Sequence, residues 1–344
     1  MYGDAMKIFA FYLPQYHVIE ENECIYGKGF TEWDNVRNAR PLFQGHYQPH
    51  IPHKILGYYS LLDKDFIEEQ HRLAFNFSVK GFCYYYYNFC GKILLDKPLK
   101  IINTSKSIEN EFCLCWCHGS WYNNKKIDKE IFIKQDYSMD KVDSLTGDLL
   151  QYFYNERYLK IDNKPVLIIC SPNNIPNAKD YISAIRNSMK STKFKDIMLA
   201  GLELFGGCQP SELGLDFMIE YAPNWVDYAF LGKIHDLKIY DYQKAIEFNI
   251  KKEKPNYNRI RCTFPGWDNT PRKKDKGIVF IDEFPEVFEA SLKYLKTYTE
   301  IELPKNMQYI FVNAWNEWGE GCHIEPDQKY GFTYLEIIKR LFGE

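Results

Sequence analysis

Eight short apolar runs, each closing on polar or aromatic residues, constrain the fold of this 344-residue chain more than any other feature. They are Met6–Tyr12, Val79–Tyr87, Glu111–Cys117, Pro165–Cys170, Ile197–Glu203, Asp216–Tyr221, Ile260–Phe264 and Tyr309–Val312. Runs this short and this continuously apolar are the pattern of strands buried on both faces, as in parallel sheets covered by helices. Helix-like stretches separate them at 63–76, 97–109, 140–157, 178–190, 236–252 and 284–298, and another follows at 332–342. Eight strand-helix units predict an α/β fold, a (β/α)8 barrel formed by residues 1–344 as one domain. A doubly wound open sheet is the competing architecture. In either, the strand-end clusters, Ala222-Pro223-Asn224-Trp225 among them, mark the face that carries chemistry. A long irregular loop, 18–56, follows the first strand, a length usual for functional loops and lids.

Charge and motif content exclude several classes of partner. With Lys+Arg 43 against Asp+Glu 46, the chain lacks the basic footprint of a nucleic-acid binder. No apolar stretch approaches the roughly 20 residues of a spanning helix, and no secretory leader pattern opens the sequence, so the expected location is cytoplasmic with no transmembrane segment. G-x-G-x-x-G after a strand, G-x-x-x-x-G-K-[ST] and G-x-S-x-G are all absent, and no cofactor is expected. The ten cysteines fall mostly inside strands, against a disulfide framework. Cys113, Cys115 and Cys117 share one strand face beside His118, but ligands at every second strand residue stand about 6.5–7 Å apart, too far to close on one zinc. No metal is expected. His46, His50 and His53 read as surface or lid histidines, and Asp63, before Lys64-Asp65, reads as a helix cap.

The segment after the eighth run, Asn313-Ala314-Trp315-Asn316-Glu317-Trp318-Gly319-Glu320-Gly321 and on to Ile324-Glu325-Pro326-Asp327, concentrates carboxylates and indoles. On a helical turn, Glu317 and Glu320 would share one side at about 5–6 Å, the scale of a retaining glycosidase pair. Mutual repulsion raises one pKa, setting an acid beside a base. Spacing alone favours a solvated acidic loop, since E-x-x-E is common, but the surroundings shift the balance to carbohydrate. Trp315 and Trp318 flank the pair, Trp267, Asp268 and Asn269 end the neighbouring strand, and Tyr12 and His17 end the first. Trp33, Tyr86, Trp116, His118 and Tyr221 complete the candidate substrate contacts, and aromatic residues form 17% of the chain. Sugar C–H faces stack on such rings while hydroxyl and indole N–H groups bond sugar hydroxyls.

Several stretches resemble the WbsX family of surface-polysaccharide glycosyltransferases: AFYLPQYH at 10–17, GKGFTEWDNV at 27–36, GHYQPHIP at 45–52, GFCYYYY at 81–87, FPGWDNTPR at 264–272, and NAWNEWGEG with IEPD at 313–327. That family is similar in turn to glycoside hydrolase family 99, endo-acting α-mannosidases and α-mannanases built as (β/α)8 barrels. The resemblance implies that Glu317 deprotonates a substrate 2-hydroxyl and Glu320 is the general acid/base, with net retention through a 1,2-anhydro sugar. Glu325 is implied to support them without reacting. It implies an enzyme of bacterial O-antigen, lipopolysaccharide or capsule biosynthesis acting on a glycan, with a nucleotide-sugar or lipid-linked sugar as a further partner. The alternatives are an endo-acting α-mannosidase-type hydrolase and a noncatalytic carbohydrate-binding barrel. The latter is motivated by departures from the WbsX pattern at Tyr86, Asn88 and Cys117-His118-Gly119-Ser120-Trp121.

Overall fold

A computed structural model describes residues 6–89, 91–123, 130–204, 208–223 and 229–343. The last two residues of the sixth-strand cluster, Asn224 and Trp225, lie outside them. The barrel strands are β1 (Lys7–Tyr12), β2 (Val79–Phe89), β3 (Glu111–Trp116), β4 (Lys164–Ile169), β5 (Met198–Glu203), β6 (Phe217–Glu220), β7 and β8 (Tyr309–Val312). Each pairs in parallel with its sequence neighbour from β1 to β6, and β8 pairs with β1, so the sheet curls into a (β/α)8 barrel. Closure runs through β7, which is split. Arg259–Ile260 pairs with β6 and Cys262–Thr263 with β8, while Arg261 between them turns its side chain to Glu220.

The helices are α1 (Glu20–Tyr26), α2 (Glu32–Arg37), α3 (Lys64–Asn76), α4 (Lys97–Thr104), α5 (Val142–Phe153), α6 (Ala178–Ser188), α7 (Pro210–Leu213), α8 (Tyr242–Lys251), α9 (Thr270–Lys273), α10 (Pro285–Glu302) and α11 (Thr333–Phe342). Asp63 caps α3 by accepting from the Asp65 and Phe66 amides, as its position predicts. The long segment after β1 carries α1 and α2. The stretch expected as one helix from 236 begins instead with a strand, Leu237–Asp241, which pairs with Phe230–Ile234 and Ile278–Ile281 outside the barrel. Its apolar residues satisfy a short strand as well as a first helical turn. Among the described residues, no helix is long and apolar enough to cross a membrane.

Side chains alternate across each strand. Phe9, Phe11, Tyr85 and Phe311 meet in the interior, with Phe11 stacked on Tyr85 at 5.7 Å and 5.4 Å from Phe311. Gly81 belongs to this layer because any Cβ there would overlap the Phe9 ring. The even-numbered neighbours face the helices: Tyr12, Phe82 and Tyr84 pack with His71 of α3.

Candidate active site

The candidate site is built on a hairpin that follows β8. Asn316–Glu317 pairs antiparallel with Cys322–His323 around a 3-10 turn, Trp318–Glu320. Asn316 fixes this hairpin to the end of β1: its Oδ1 accepts from the Leu13 amide at 2.7 Å and its Nδ2 donates to the Leu13 carbonyl at 3.0 Å. From the other side, the Asp268 amide donates to the Glu320 carbonyl at 2.7 Å. Gly321, at φ 58°, is needed here, since a side chain would meet the Asp268 backbone at 2.9 Å as well as strain the turn.

The turn directs both glutamates onto one guanidinium. Arg272 of α9 reaches Glu317 Oε2 through Nη2 at 2.8 Å and Glu320 Oε1 through Nη1 at 2.7 Å. Its third edge is taken by Glu32, at the first position of α2, with Nε donating to Oε1 at 2.6 Å. Gly319 makes this possible, because a Cβ would overlap Glu32 Oε1 and stand 2.8 Å from Arg272 Nε. Three carboxylates thus share one cation. Burial raises Glu317 to about 8, with Glu320 and Glu32 adding to the rise and Arg272 opposing it. Burial raises Glu320 as well, against Arg272. Both acids and the arginine retain partial exposure, with side chains 6%, 19% and 23% accessible. The pair therefore titrates as a unit that holds a proton near neutrality.

Tyr85, Tyr87 and Tyr221 wall this cluster. The Tyr85 and Tyr221 hydroxyls lie 3.3 Å apart, and the charge of Glu317 adds to the upward shift that burial imposes on all three phenols. Behind the hairpin, Trp318 stacks on His323 at 3.6 Å and donates to Glu325 Oε2 at 2.7 Å. Glu325 also accepts from Tyr59 at 2.8 Å and from Gln70, yet burial lifts it to about 7. It ties the hairpin to α3.

The structure brings Glu317, Glu320 and Tyr221 together and turns many other candidates elsewhere. Tyr12 donates to Gln70 on the helix side of β1. Tyr86 points outward to Tyr152 and Asn88, leaving Tyr85 and Tyr87 inside. Trp116 likewise faces out, donating to the Asn88 carbonyl, because inward places on β3 go to Cys113 and Cys115. His118 is held by the Tyr137 hydroxyl and the Cys170 carbonyl. Trp315 is buried against Phe82, and Trp33 donates to the Tyr59 carbonyl beneath Tyr16. His17 is buried beyond the end of β1, where burial pushes it down to about 4. Trp267 is buried, and its amide donates to Glu283. Asn269 accepts from the Ile278 amide.

Asp268 receives His46 Nε2 at 2.7 Å and Gln48 at 2.5 Å; burial opposes its ionisation, but the hydrogen bond and charge of His46, with His50 and Thr270, hold its carboxyl below the usual range. His46 and His50 are therefore not surface histidines: His46 pairs with Asp268, and His50 meets His323 at 3.0 Å. Among the described residues no group of His, Cys, Asp or Glu is arranged to hold a metal. Sequence reasoning missed Glu32 and Arg272, although both lie inside stretches that carried the family resemblance, GFTEWDNV and FPGWDNTPR.

Comparison with known proteins agrees with this architecture. The family described as Glycosyltransferase WbsX matches residues 8–338. A protein of Xanthomonas campestris pv. campestris, the uncharacterised WxcX, is 32% identical over 97% of this chain; the chain spans 49% of that relative's length. Among solved structures, a glycoside hydrolase-like protein superposes with TM-score 0.65 at 14% identity, covering 99% of this chain and 95% of the other. The family 99 endo-α-mannosidase of Bacteroides thetaiotaomicron superposes with TM-score 0.59 at 15% identity, covering 97% and 96%.

Proposed function

The chain belongs to the Glycosyltransferase WbsX family of carbohydrate-active enzymes, and we propose that it makes or remodels glycosidic bonds in a bacterial surface polysaccharide of the O-antigen or capsule type. The observation that carries this reading is the pair Glu317 and Glu320 on adjacent nitrogens of Arg272, beside the tyrosines of the barrel interior. Glu317 accepts the proton of a substrate 2-hydroxyl as that oxygen attacks the anomeric carbon. Glu320 protonates the departing glycosidic oxygen, then deprotonates the acceptor hydroxyl that opens the 1,2-anhydro sugar, while Glu317 returns its proton to the 2-oxygen as the C1–O2 bond breaks. Two inversions give net retention. Arg272 steadies both carboxylates through the cycle, and burial keeps one proton on the pair so that an acid and a base coexist.

The acceptor decides the outcome: water gives hydrolysis in the manner of an endo-acting α-mannosidase, whereas a sugar hydroxyl gives transfer. A nucleotide-sugar or lipid-linked donor would sit in the same cleft, in a cytoplasmic protein working as one domain. The absence of a glycine-built phosphate cradle from the sequence favours an oligosaccharide or lipid-linked donor over a nucleotide sugar. The test is product analysis on panels of nucleotide sugars and oligosaccharides, with anomeric configuration followed by NMR, for the native chain, Glu317→Gln and Glu320→Gln. Retained configuration and loss of turnover in both variants are expected. Unchanged turnover in both would overturn the assignment.

A further inference from the structure

The barrel interior carries a set of thiols that the proposed glycosidic chemistry leaves unused. Cys83 on β2 lies opposite Cys113 on β3, and Cys115 follows two residues on, on the same inward face. These three are buried. Where β3 and β4 end, the ladder continues one step past the pairing of Trp116 with Ile169, because the Cys170 amide donates to the Trp116 carbonyl at 3.1 Å. That bond is the parallel-ladder link that sets Cys117 directly opposite Cys170.

Both of these cysteines are free and partly exposed, unlike the three below them. Adjacent strands lie about 4.8 Å apart, inside the Cα separation of roughly 4.4–6.8 Å that a disulfide spans. Contacts with Cys115 and Cys117, ahead of the nearby His118, hold the Cys170 thiol well below the usual thiol range, whereas Cys117 is held above it. The pair borders the carboxylate cluster: Tyr87 feels the charge of Cys117, then Glu317, Arg272 and Cys170.

We propose that Cys117 and Cys170 form a modification site in the wall of the cleft, a vicinal dithiol that a peroxide converts to a disulfide between β3 and β4. The Cys170 thiolate attacks one peroxide oxygen; an S–O bond forms, the O–O bond breaks, and with hydrogen peroxide one water leaves. Cys117 then attacks the Cys170 sulfenic sulfur, the S–S bond forms, the S–O bond breaks, and a second water carries off the oxygen with the thiol protons. Two thiols lose two electrons and one peroxide gains them. A thiol reductant reverses the change, so the state of the pair follows the redox poise of the medium. The buried Cys83 and Cys113, opposed in the same way but closed to solvent, are the internal control.

The experiment treats the reduced full chain with one equivalent of hydrogen peroxide, blocks remaining thiols, and maps the non-reduced digest by mass spectrometry. The expected product is a peptide linked through Cys117 and Cys170, two hydrogens lighter than its reduced parts and released by dithiothreitol. Cys83 and Cys113 should remain unlinked. In Cys117→Ser the reaction should stop at a Cys170 sulfenic acid that dimedone captures. Linkage of Cys170 to Cys115, oxidation confined to the exposed Cys24, or no linkage would each overturn the proposal. The native chain alone distinguishes these outcomes, whether or not the variant folds.

Discussion

The molecule buries glutamates against arginine in two places, with opposite results. On the helix side of β5, β6 and β7, Glu203 and Glu220 face Lys252, Arg259 and Arg261: two carboxylates for three cations. Burial alone would raise Glu220, but Arg261 and then Lys252 outweigh it and its carboxyl lies below the usual range. At the hairpin, Glu32, Glu317 and Glu320 share Arg272, three carboxylates for one cation, and Glu317 rises to about 8. The same residue types in similar burial give a closed structural network in one place and a proton-holding pair in the other. The balance of charge within the cluster decides which.

Substitutions should separate the two clusters most sharply. Glu317→Gln or Glu320→Gln should lower glycan turnover by about 10²–10⁴-fold, the usual weight of a general acid or base, while leaving the melting temperature unchanged or higher. Glu220→Gln should do the reverse, leaving Arg261 short of a partner at a cost of about 3–5 kcal/mol in urea unfolding. Activity per folded molecule should stay constant. If Glu317→Gln proved the more destabilising of the two, the distinction would fail. Gly319→Ala is the intermediate case, wedging a methyl between Glu32 and Arg272. A loss of about 1–3 kcal/mol is expected from overpacking, together with reduced turnover, and full activity would show that the Glu32 contact is dispensable.

The smallest effect is in pH dependence, and its sign differs between the clusters. A carboxyl raised from 4.5 to about 8, as Glu317 is, stabilises the fold fully below about pH 4.5, and that contribution is lost as pH rises through about 8. A lowered carboxyl such as Glu220 contributes stability above its ordinary value and loses it as pH falls. Urea titrations from pH 2 to 9 should therefore show Glu317→Gln flattening the decline toward alkaline pH, whereas Glu220→Gln flattens the decline below about pH 4.5. Glu325, raised to about 7, adds to the alkaline-side decline.

Much of the fold was legible because strands buried on both faces must be largely apolar, and the eight runs show it with few charged residues inside them. Arg261 hid the nature of the seventh: it breaks β7 into two short pieces to reach Glu220, a demand of tertiary pairing that local composition does not reveal. The hairpin was legible as a dense patch of carboxylate and indole. Which aromatics face it was not. In Tyr84-Tyr85-Tyr86-Tyr87 every position is equally apolar, so only the register of β2 against β1 and β3 tells that Tyr85 and Tyr87 point inward. Trp315 and Trp318, which look like sugar platforms in sequence, instead form the packing that holds the turn. Glu32 and Arg272, separated by 240 residues, meet only once the barrel is closed.

The clasp between Asn316 and Leu13 has a consequence for the birth of the protein. Its two halves stand 303 residues apart, so the hairpin has nothing to seat against until β8 has emerged and docked beside β1. A nascent chain on the ribosome carries Glu32 long before Glu317 and Glu320 have been made. The carboxylate cluster on Arg272 can therefore assemble only after β8 has docked beside β1.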